Sequence, residues 1–405
     1  MHRIAHRRLV LLPAALLTAF AVSACAPSAA PTPDAAPRTS DIEGVGEIAE
    51  PARALVVGDE NGELTLIDLA TQDRSVLAKA RAGVASVQGD GRFIAVTRQD
   101  GARTAVDVVD TGRWTMPHGD HSHSFQTEAR TLGAIDGAGA VTVGMGDRRI
   151  VALFGEDGDL VDLTHDDLDG DLVDPPRSAA PLAPAGPVLP FAGHLLVASD
   201  SDTVEVVDDS GALQPDRGMP CPGVTDADTT RVGAVFACTT GAVLFTRETG
   251  GEVVAEGIPY PEGATPVTEL SGRPDRPDLA GVAGTQGAWL LDVRQRTWTL
   301  LPSDEPLVRA VAIGDDADRT VVVDAGGRVR VLAADGTVLA RTEPLVAASV
   351  SDPALRERVR LIVDADHAYL TDPAAGAVHE IDHRDGAVVA RTFTDLQPWF
   401  LQQVG

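Results

Sequence analysis

The chain has 405 residues and a formal net charge of −27, from 60 acidic and 33 basic residues. Nucleic acid and anionic lipid repel a surface this acidic, so neither is an expected ligand. Hydrophobic residues make up 44% of the sequence, which suffices for a large core in one or two domains.

The amino-terminal 25 residues have the features of a lipoprotein signal. Several arginines precede an apolar run over residues 9–22, and this run is too short for a permanent membrane span. The sequence VSAC, which ends at Cys25, then matches a lipobox, in which the cysteine thiol takes the lipid. We predict a signal peptide over residues 1–24 and acylation of Cys25, with an ordinary secretory signal as the alternative.

Residues 25–50 are rich in alanine, proline, serine and threonine and have few large apolar side chains. Such a segment cannot bury enough surface to offset the entropy of ordering it, which predicts a flexible tether. We therefore expect a protein that works outside the cytoplasm and is held at the outer face of the cell membrane by its lipid alone. Residues 51–405 are expected to form a single domain.

A short β-rich sequence recurs along residues 51–405 and predicts their fold. Each copy has four or five small or branched apolar residues that end in a polar turn, and most copies are followed by a second strand. Eight copies occur, at residues 54–59, 93–98, 139–144, 194–199, 234–239, 279–284, 319–324 and 367–372. Their mean spacing of roughly 45 residues is that of a four-stranded propeller blade. We predict an all-β protein with a β-propeller of eight blades, with seven blades or two packed β-sandwiches as alternatives.

The two ends of this domain are expected to meet. The first copy lacks an innermost strand of its own before residue 54, and residues 392–404 could supply that strand and close the ring. Helical periodicity is nearly absent, and residues 353–359 are the one stretch that resembles a short helix, with a turn as the alternative.

Two cysteines remain for the domain once Cys25 carries a lipid. In an oxidising compartment an isolated pair such as Cys221 and Cys238 is most simply a disulfide, and two buried free thiols are the alternative.

Histidines cluster at residues 114–125, in the sequence WTMPHGDHSHSF, which contains His118, His121 and His123. Imidazole is the usual uncharged zinc donor, and carboxylates such as that of Asp120 also bind zinc. His121 and His123 are two residues apart and share one face of an extended segment. The cluster predicts a Zn²⁺-binding loop, with a solvated polar loop as the alternative.

Other ligands would come from distant parts of the chain. His165 lies in the acidic stretch THDDLDGDLVD, and His194 opens one copy of the repeat. We treat both as candidate ligands, and a hydrogen-bonded structural role is the alternative for each.

These residues make the chain resemble the AztD family. Members of that family are extracytoplasmic zinc metallochaperones and β-propeller partners of a zinc ABC importer. The resemblance rests on HGDH at residues 118–121 and on Cys-Pro-Gly at residues 221–223, which a strand cysteine follows at Cys238. It implies that loop histidines help to hold zinc at one face of the propeller and that zinc passes to the importer's solute-binding protein. The candidate ligands that it supports are His118, Asp120, His121 and His123.

The leading hypothesis is a monomeric, membrane-tethered zinc metallochaperone without catalytic activity. The alternative is an interaction scaffold on a surface lipoprotein that has lost tight zinc binding, because a histidine that family members commonly carry just before the position of His194 is absent. An enzyme working in the central channel is a third possibility. It lacks support, since the sequence has no G-x-S-x-G elbow, H-E-x-x-H helix, Walker loop or C-x-x-C-H haem site.

Overall fold

The computed structural model describes residues 45–118, 121–156, 158–180 and 182–405, without the side chains of Pro117 and His118. The signal peptide, Cys25 and most of the predicted tether lie outside the described residues and stay predictions. Nearly all regular structure in the described part is β-strand, and its two helices are both short. Neither of them has the length and apolar character that crossing a bilayer requires.

The strands of the first half of the chain are short and follow one another closely. They are β1 (Gly46–Ile48), β2 (Ala54–Gly58), β3 (Leu64–Asp68), β4 (Arg74–Ala78), β5 (Val84–Gly89), β6 (Phe93–Asp100), β7 (Arg103–Asp110), β8 (Arg113–His118), β9 (His121–Gln126), β10 (Arg130–Ala138), β11 (Val141–Gly146), β12 (Arg149–Phe154), β13 (Asp159–Thr164), β14 (Ser178–Ala179), β15 (Val188–Phe191), β16 (His194–Ala198) and β17 (Thr203–Val207).

The second half continues in the same way and contains the two helices. Its elements are β18 (Met219–Pro220), β19 (Asp226–Thr229), β20 (Ala234–Cys238), β21 (Gly241–Arg247), β22 (Val253–Pro259), β23 (Asp278–Val282), β24 (Gly287–Asp292), β25 (Thr297–Pro302), β26 (Leu307–Ala312), β27 (Thr320–Asp324), β28 (Val329–Leu332), β29 (Val338–Arg341), α1 (Ala347–Ser351), α2 (Pro353–Arg356), β30 (Leu361–Val363), β31 (His367–Asp372), β32 (Ala377–Asp382), β33 (Val388–Phe393) and β34 (Phe400–Val404).

Within the described residues these strands form nine small sheets, and eight of the sheets share one design. Each of the eight contains three or four antiparallel strands, nearly all of them consecutive in the chain, as expected for strands joined by short turns. In strand order the eight are β34-β2-β3-β4, β5-β6-β7-β10, β11 to β14, β15 to β18, β19 to β22, β23 to β25, β26 to β29 and β30 to β33. The predicted all-β class and the propeller architecture are confirmed.

Hydrophobic clusters between neighbouring sheets join the sheets into a cycle. Ala95 and Ile150 belong to one such cluster, which joins the β5 sheet to the β11 sheet. Val57 and Tyr369 belong to another, which joins the last sheet of the chain to the first. Further clusters in the described residues connect the remaining neighbours in chain order. Because the ninth sheet stands outside this cycle, the blade number stays a prediction.

The carboxy-terminal strand closes the cycle, as the sequence predicts. β34 pairs antiparallel with β2, with Val404 opposite Ala54 and Phe400 opposite Gly58. Leu401 packs into the cluster shared with the last sheet, whereas Val404 packs into the cluster shared with the second sheet. One short strand therefore holds the last sheet of the chain against the first and also packs against the second.

The recurring sequence mostly marks the second strand of each sheet. Six copies lie on second strands, namely β2, β6, β16, β20, β27 and β31. These strands are buried along nearly their whole length because hydrophobic clusters cover both of their faces. Two copies lie instead on the first strands β11 and β23. In the first of these sheets the buried second strand is β12, whose sequence RIVALF is an apolar run of the same kind.

Two further expectations are met. Cys221 and Cys238 form the predicted disulfide, with their Cα atoms 5.2 Å apart, and both residues are buried. The short helical segment is also present, since Asp352 accepts hydrogen bonds from the backbone N–H groups of Ala354 and Leu355 and so caps α2.

Replacing Leu401 tests how much the closing strand contributes to stability. Leu401 is 5% exposed, and Leu401→Ala should lower the free energy of unfolding by about 2–5 kcal/mol, because it leaves a cavity between the first and last sheets. Val388→Ala is the control, since Val388 is 58% exposed on β33 and its loss should change the free energy by less than about 0.5 kcal/mol. Urea unfolding measures both, and equal losses would contradict a closing role for β34.

Candidate functional site

The clustered histidines lie on a hairpin formed by β8 and β9, which β1 extends into the ninth, three-stranded sheet. In the hairpin His118 lies opposite His121, and Met116 lies opposite His123. On the other edge of β9, Glu47 of β1 lies opposite Phe125. Antiparallel pairing thus places Glu47, which precedes the strands of the propeller in sequence, next to the histidines.

His121 and His123 project from the same face of β9, and their rings meet. The two Nε2 atoms are 3.0 Å apart, and the Nδ1 atom of His123 lies 2.6 Å from an Oε1 atom of Glu47. A carboxylate at Nδ1 keeps the proton on that nitrogen and leaves the lone pair on Nε2, which here accepts a hydrogen bond from Nε2 of His121 and is the same lone pair that a metal would use. Tetrahedral zinc with Zn–N distances of about 2.0–2.1 Å would place two imidazole nitrogens about 3.3 Å apart. The pair is therefore close to the spacing that zinc requires.

A stack of rings connects this pair to the propeller. The His123 ring lies 6.4 Å from the Phe125 ring, which stacks at 5.4 Å on Trp114. The guanidinium of Arg92 lies 3.9 Å from the centre of the Trp114 ring, and it pairs with the buried carboxylate of Asp110 at 2.7 Å. Both Trp114 and Phe125 are buried. The base of the hairpin is thus fixed to the propeller, and the histidines extend from this fixed base.

The structure brings together His121 and His123 among the predicted ligands. Asp120 and the side chain of His118 lie outside the described residues, although the register places the backbone of His118 next to that of His121. Within the described part of the chain, no group of three or more histidine, cysteine or acidic residues is arranged to hold a metal ion. The predicted set of ligands, including this pair, therefore stays a prediction.

His165 and His194 have local hydrogen-bond partners. The Nε2 atom of His165 is 2.7 Å from a carboxylate oxygen of Asp90, and its ring meets Phe93 edge to face in the core. The Nδ1 atom of His194 is 3.0 Å from the carbonyl oxygen of Ala192. These contacts correspond to the structural role that the sequence analysis kept as the alternative.

Glu47 is a site residue that the sequence analysis did not identify. It falls within the stretch predicted as a tether, but residues 46–48 form β1 and pair with β9. The strand is three residues long and has one large apolar side chain, so no alternating pattern marks it. Its structure comes from pairing with a hairpin about 75 residues later, which local sequence cannot show.

A cavity of about 600 Å³ lies among first strands of several sheets, with residues of β5, β19 and β34 in its wall. Asp226 and Asp228 line it, and burial raises the pKa of Asp226 to about 6 and that of Asp228 to about 7. Their carboxylates accept hydrogen bonds from the backbone N–H groups of Leu270 and Thr229. Near neutral pH the carboxyl group of Asp228 is therefore partly protonated. No sequence pattern singles out this pair.

Comparison with known proteins bears on the fold. No protein-family model and no curated protein matches the sequence. The structure is similar to that of AztD from Citrobacter koseri, with a TM-score of 0.71 and 18% identity over 88% of this chain and 98% of AztD. Apo AztD from the same organism gives a TM-score of 0.70 with the same identity and coverage.

A weaker similarity links the chain to the dihydro-heme d1 dehydrogenase NirN in complex with DHE. The TM-score is 0.52, with 14% identity over 89% of this chain and 80% of that protein. Similarity at such low identity shows the fold alone, and at that level the resemblance to AztD is confirmed.

The raised pKa of Asp228 predicts how stability depends on pH. Between the ordinary pKa of 3.8 and about 7 the folded protein keeps a proton that the unfolded chain releases, so stability should fall as pH rises through this window. Asp228→Asn removes the ionisation and should make the protein more stable than the wild type at mildly alkaline pH, with little difference at mildly acidic pH.

Urea unfolding at the two pH values measures this effect. Asp216→Asn is the control, because Asp216 is exposed and its replacement should leave the pH dependence unchanged. An Asp228→Asn variant with the pH dependence of the wild type would rule out a raised pKa at this site.

Proposed function

We propose that the protein is a zinc-binding metallochaperone that captures Zn²⁺ outside the cytoplasm and passes it to the solute-binding protein of a zinc ABC importer. The observation that carries the proposal is the pair of Nε2 atoms 3.0 Å apart on β9, with Glu47 at Nδ1 of His123. The AztD-like fold and the HGDH sequence at residues 118–121 support the same function. In this proposal Cys25 holds the protein at the outer face of the membrane, and the protein performs no catalysis.

The position of the histidine pair suits a carrier. His121 and Glu47 are exposed, so ligands from a second protein can approach the metal from solvent. His118 ends β8, Asp120 directly precedes β9 in sequence, and both are the proposed further ligands. The net charge of −27 favours the approach of a cation. Zinc would be captured by two histidines on a fixed strand and leave when the partner's ligands replace them one at a time.

Replacing both histidines tests whether the hairpin binds zinc. His121→Ala combined with His123→Ala should weaken zinc binding at least about tenfold, because the two convergent nitrogen donors are lost. Wild-type affinity should also fall as the solution becomes acidic, since imidazole must be unprotonated to bind a metal. Titration of metal-free protein against a zinc-competing dye measures both effects.

Two further variants make this test specific. Ser122→Ala changes the residue between the histidines, which projects from the opposite face of β9, and should leave the affinity unchanged. Glu47→Gln should weaken binding by about tenfold, as loss of a carboxylate behind a metal-binding histidine commonly does. Wild-type affinity in the double histidine variant would remove His121 and His123 from the mechanism.

Transfer is tested with the metal-free solute-binding protein as acceptor. Zinc-loaded wild type should deliver zinc to it faster than zinc is lost to a chelator in solution, because ligands exchange within a complex of the two proteins. If zinc reaches the acceptor only after release into solution, the chaperone function is wrong. A stable complex of the two proteins without zinc binding would instead favour the interaction scaffold.

A further inference from the structure

A second cavity, of about 520 Å³, is lined by four arginines from three separate parts of the propeller. Arg53 precedes β2, Arg231 lies between β19 and β20, and Arg273 and Arg276 belong to the turn before β23. We call these residues the arginine cluster. It brings four positive charges together in a chain whose net charge is −27.

Backbone contacts fix the turn that holds two of these arginines. The N–H group of Arg273 donates to the carbonyl oxygen of Ala312 at 2.9 Å, and the carbonyl oxygen of Arg276 accepts from the N–H group of Arg231 at 3.4 Å. Arg276 also packs against Gly314, where an added Cβ atom would lie 2.4 Å from the Cβ atom of Arg276. The arginines thus extend from anchored backbone.

The positive charges of the cluster are poorly compensated. In the described part of the chain, no carboxylate lies within ion-pair distance of Arg231, Arg273 or Arg276, although the sequence has 60 acidic residues. Asp275 also lines the cavity but forms no ion pair among the described residues, and Arg53 approaches Asp364 at 3.6 Å. Burial, together with the nearby charge of Arg276, lowers the pKa of Arg273, although three carboxylates beyond ion-pair distance act in the opposite direction. Among the described residues, like charges have been brought together here with a single directly paired anion, that of Asp364 at Arg53.

We propose that the arginine cluster binds a small polyvalent oxyanion, of the phosphate or polycarboxylate class. Guanidinium groups present paired N–H donors that match the oxygens of phosphates and carboxylates, and they keep their charge at physiological pH. The cavity volume lies in the range typical of small-molecule sites. Such an anion would neutralise the repulsion among the arginines and bridge three sheets.

The hairpin gives this site a connection to the histidine pair. Thr115 and Ser122 line the cavity from the hairpin. Because side chains alternate along a strand, they project from the face opposite His121 and His123. The oxyanion site and the histidine pair therefore lie on opposite faces of one hairpin and can be tested separately.

The experiment is a calorimetric titration of the metal-free, full-length mature protein. The probes are inorganic phosphate, pyrophosphate and citrate, each compared with sodium chloride at the same ionic strength. At least one polyvalent probe should bind saturably and raise the melting temperature, because it binds the folded state alone. Tighter binding of pyrophosphate would identify the phosphate class, and tighter binding of citrate the polycarboxylate class.

Variants assign the binding to this cavity. Arg273→Gln combined with Arg276→Gln should weaken it at least about tenfold, since two guanidinium groups are lost. It should not lower the melting temperature without probe, because it removes like charges. Arg103→Gln is the control, since Arg103 is exposed at the start of β7. The His121→Ala and His123→Ala variant should retain anion binding.

Three results would overturn the proposal. One is that no polyvalent probe binds more tightly than chloride to the wild type. Another is that the double arginine variant, folded as judged by its melting transition, binds the probes as the wild type does. The third is loss of anion binding in the Arg103→Gln control, which would show that general surface charge, and not the cavity, is responsible.

Discussion

The backbone pairing of β34 with β2 is the constraint on which the other features depend. It joins the two ends of a long cycle of sheets, and its side chains enter hydrophobic clusters on both sides. It also positions the segments next to the paired strands. Arg53 comes directly before β2 and belongs to the arginine cluster. β1 lies a few residues before Arg53 and pairs with β9 of the hairpin. Both candidate sites therefore include residues that are placed by closure of the ring.

The hairpin of β8 and β9 separates the histidine pair from the arginine cluster, because the two groups lie on its opposite faces. Its histidines face Glu47 on one side, and Thr115 and Ser122 face the arginine cluster on the other. Strand alternation alone produces this separation, because neighbouring residues point in opposite directions. The proposed cation on the imidazole nitrogens would thereby be kept away from the guanidinium groups, which would otherwise repel it.

The sequence predicted those features that depend on local pattern. Buried strands give repeated apolar runs, and their regular spacing identified the propeller, while an isolated cysteine pair identified the disulfide. Apolar runs on adjacent strands look alike, so two copies of the repeat marked first strands instead of second ones. Glu47, the raised pKa of Asp228 and the arginine cluster arise from contacts between distant segments or from burial. None of these has a signal in neighbouring residues.

The proposed zinc carrier would have to hold its ion and also release it, and the ring stack offers a physical basis for both. Arg92, Trp114 and Phe125 fix the buried end of the hairpin, so His123 is held with Glu47 behind it. The exposed ring of His121 lies at the solvent end of this stack. Incoming ligands would meet the metal at that end and could replace His121 before His123. Release by this order would disturb no core residue, so transfer would not require the propeller to open.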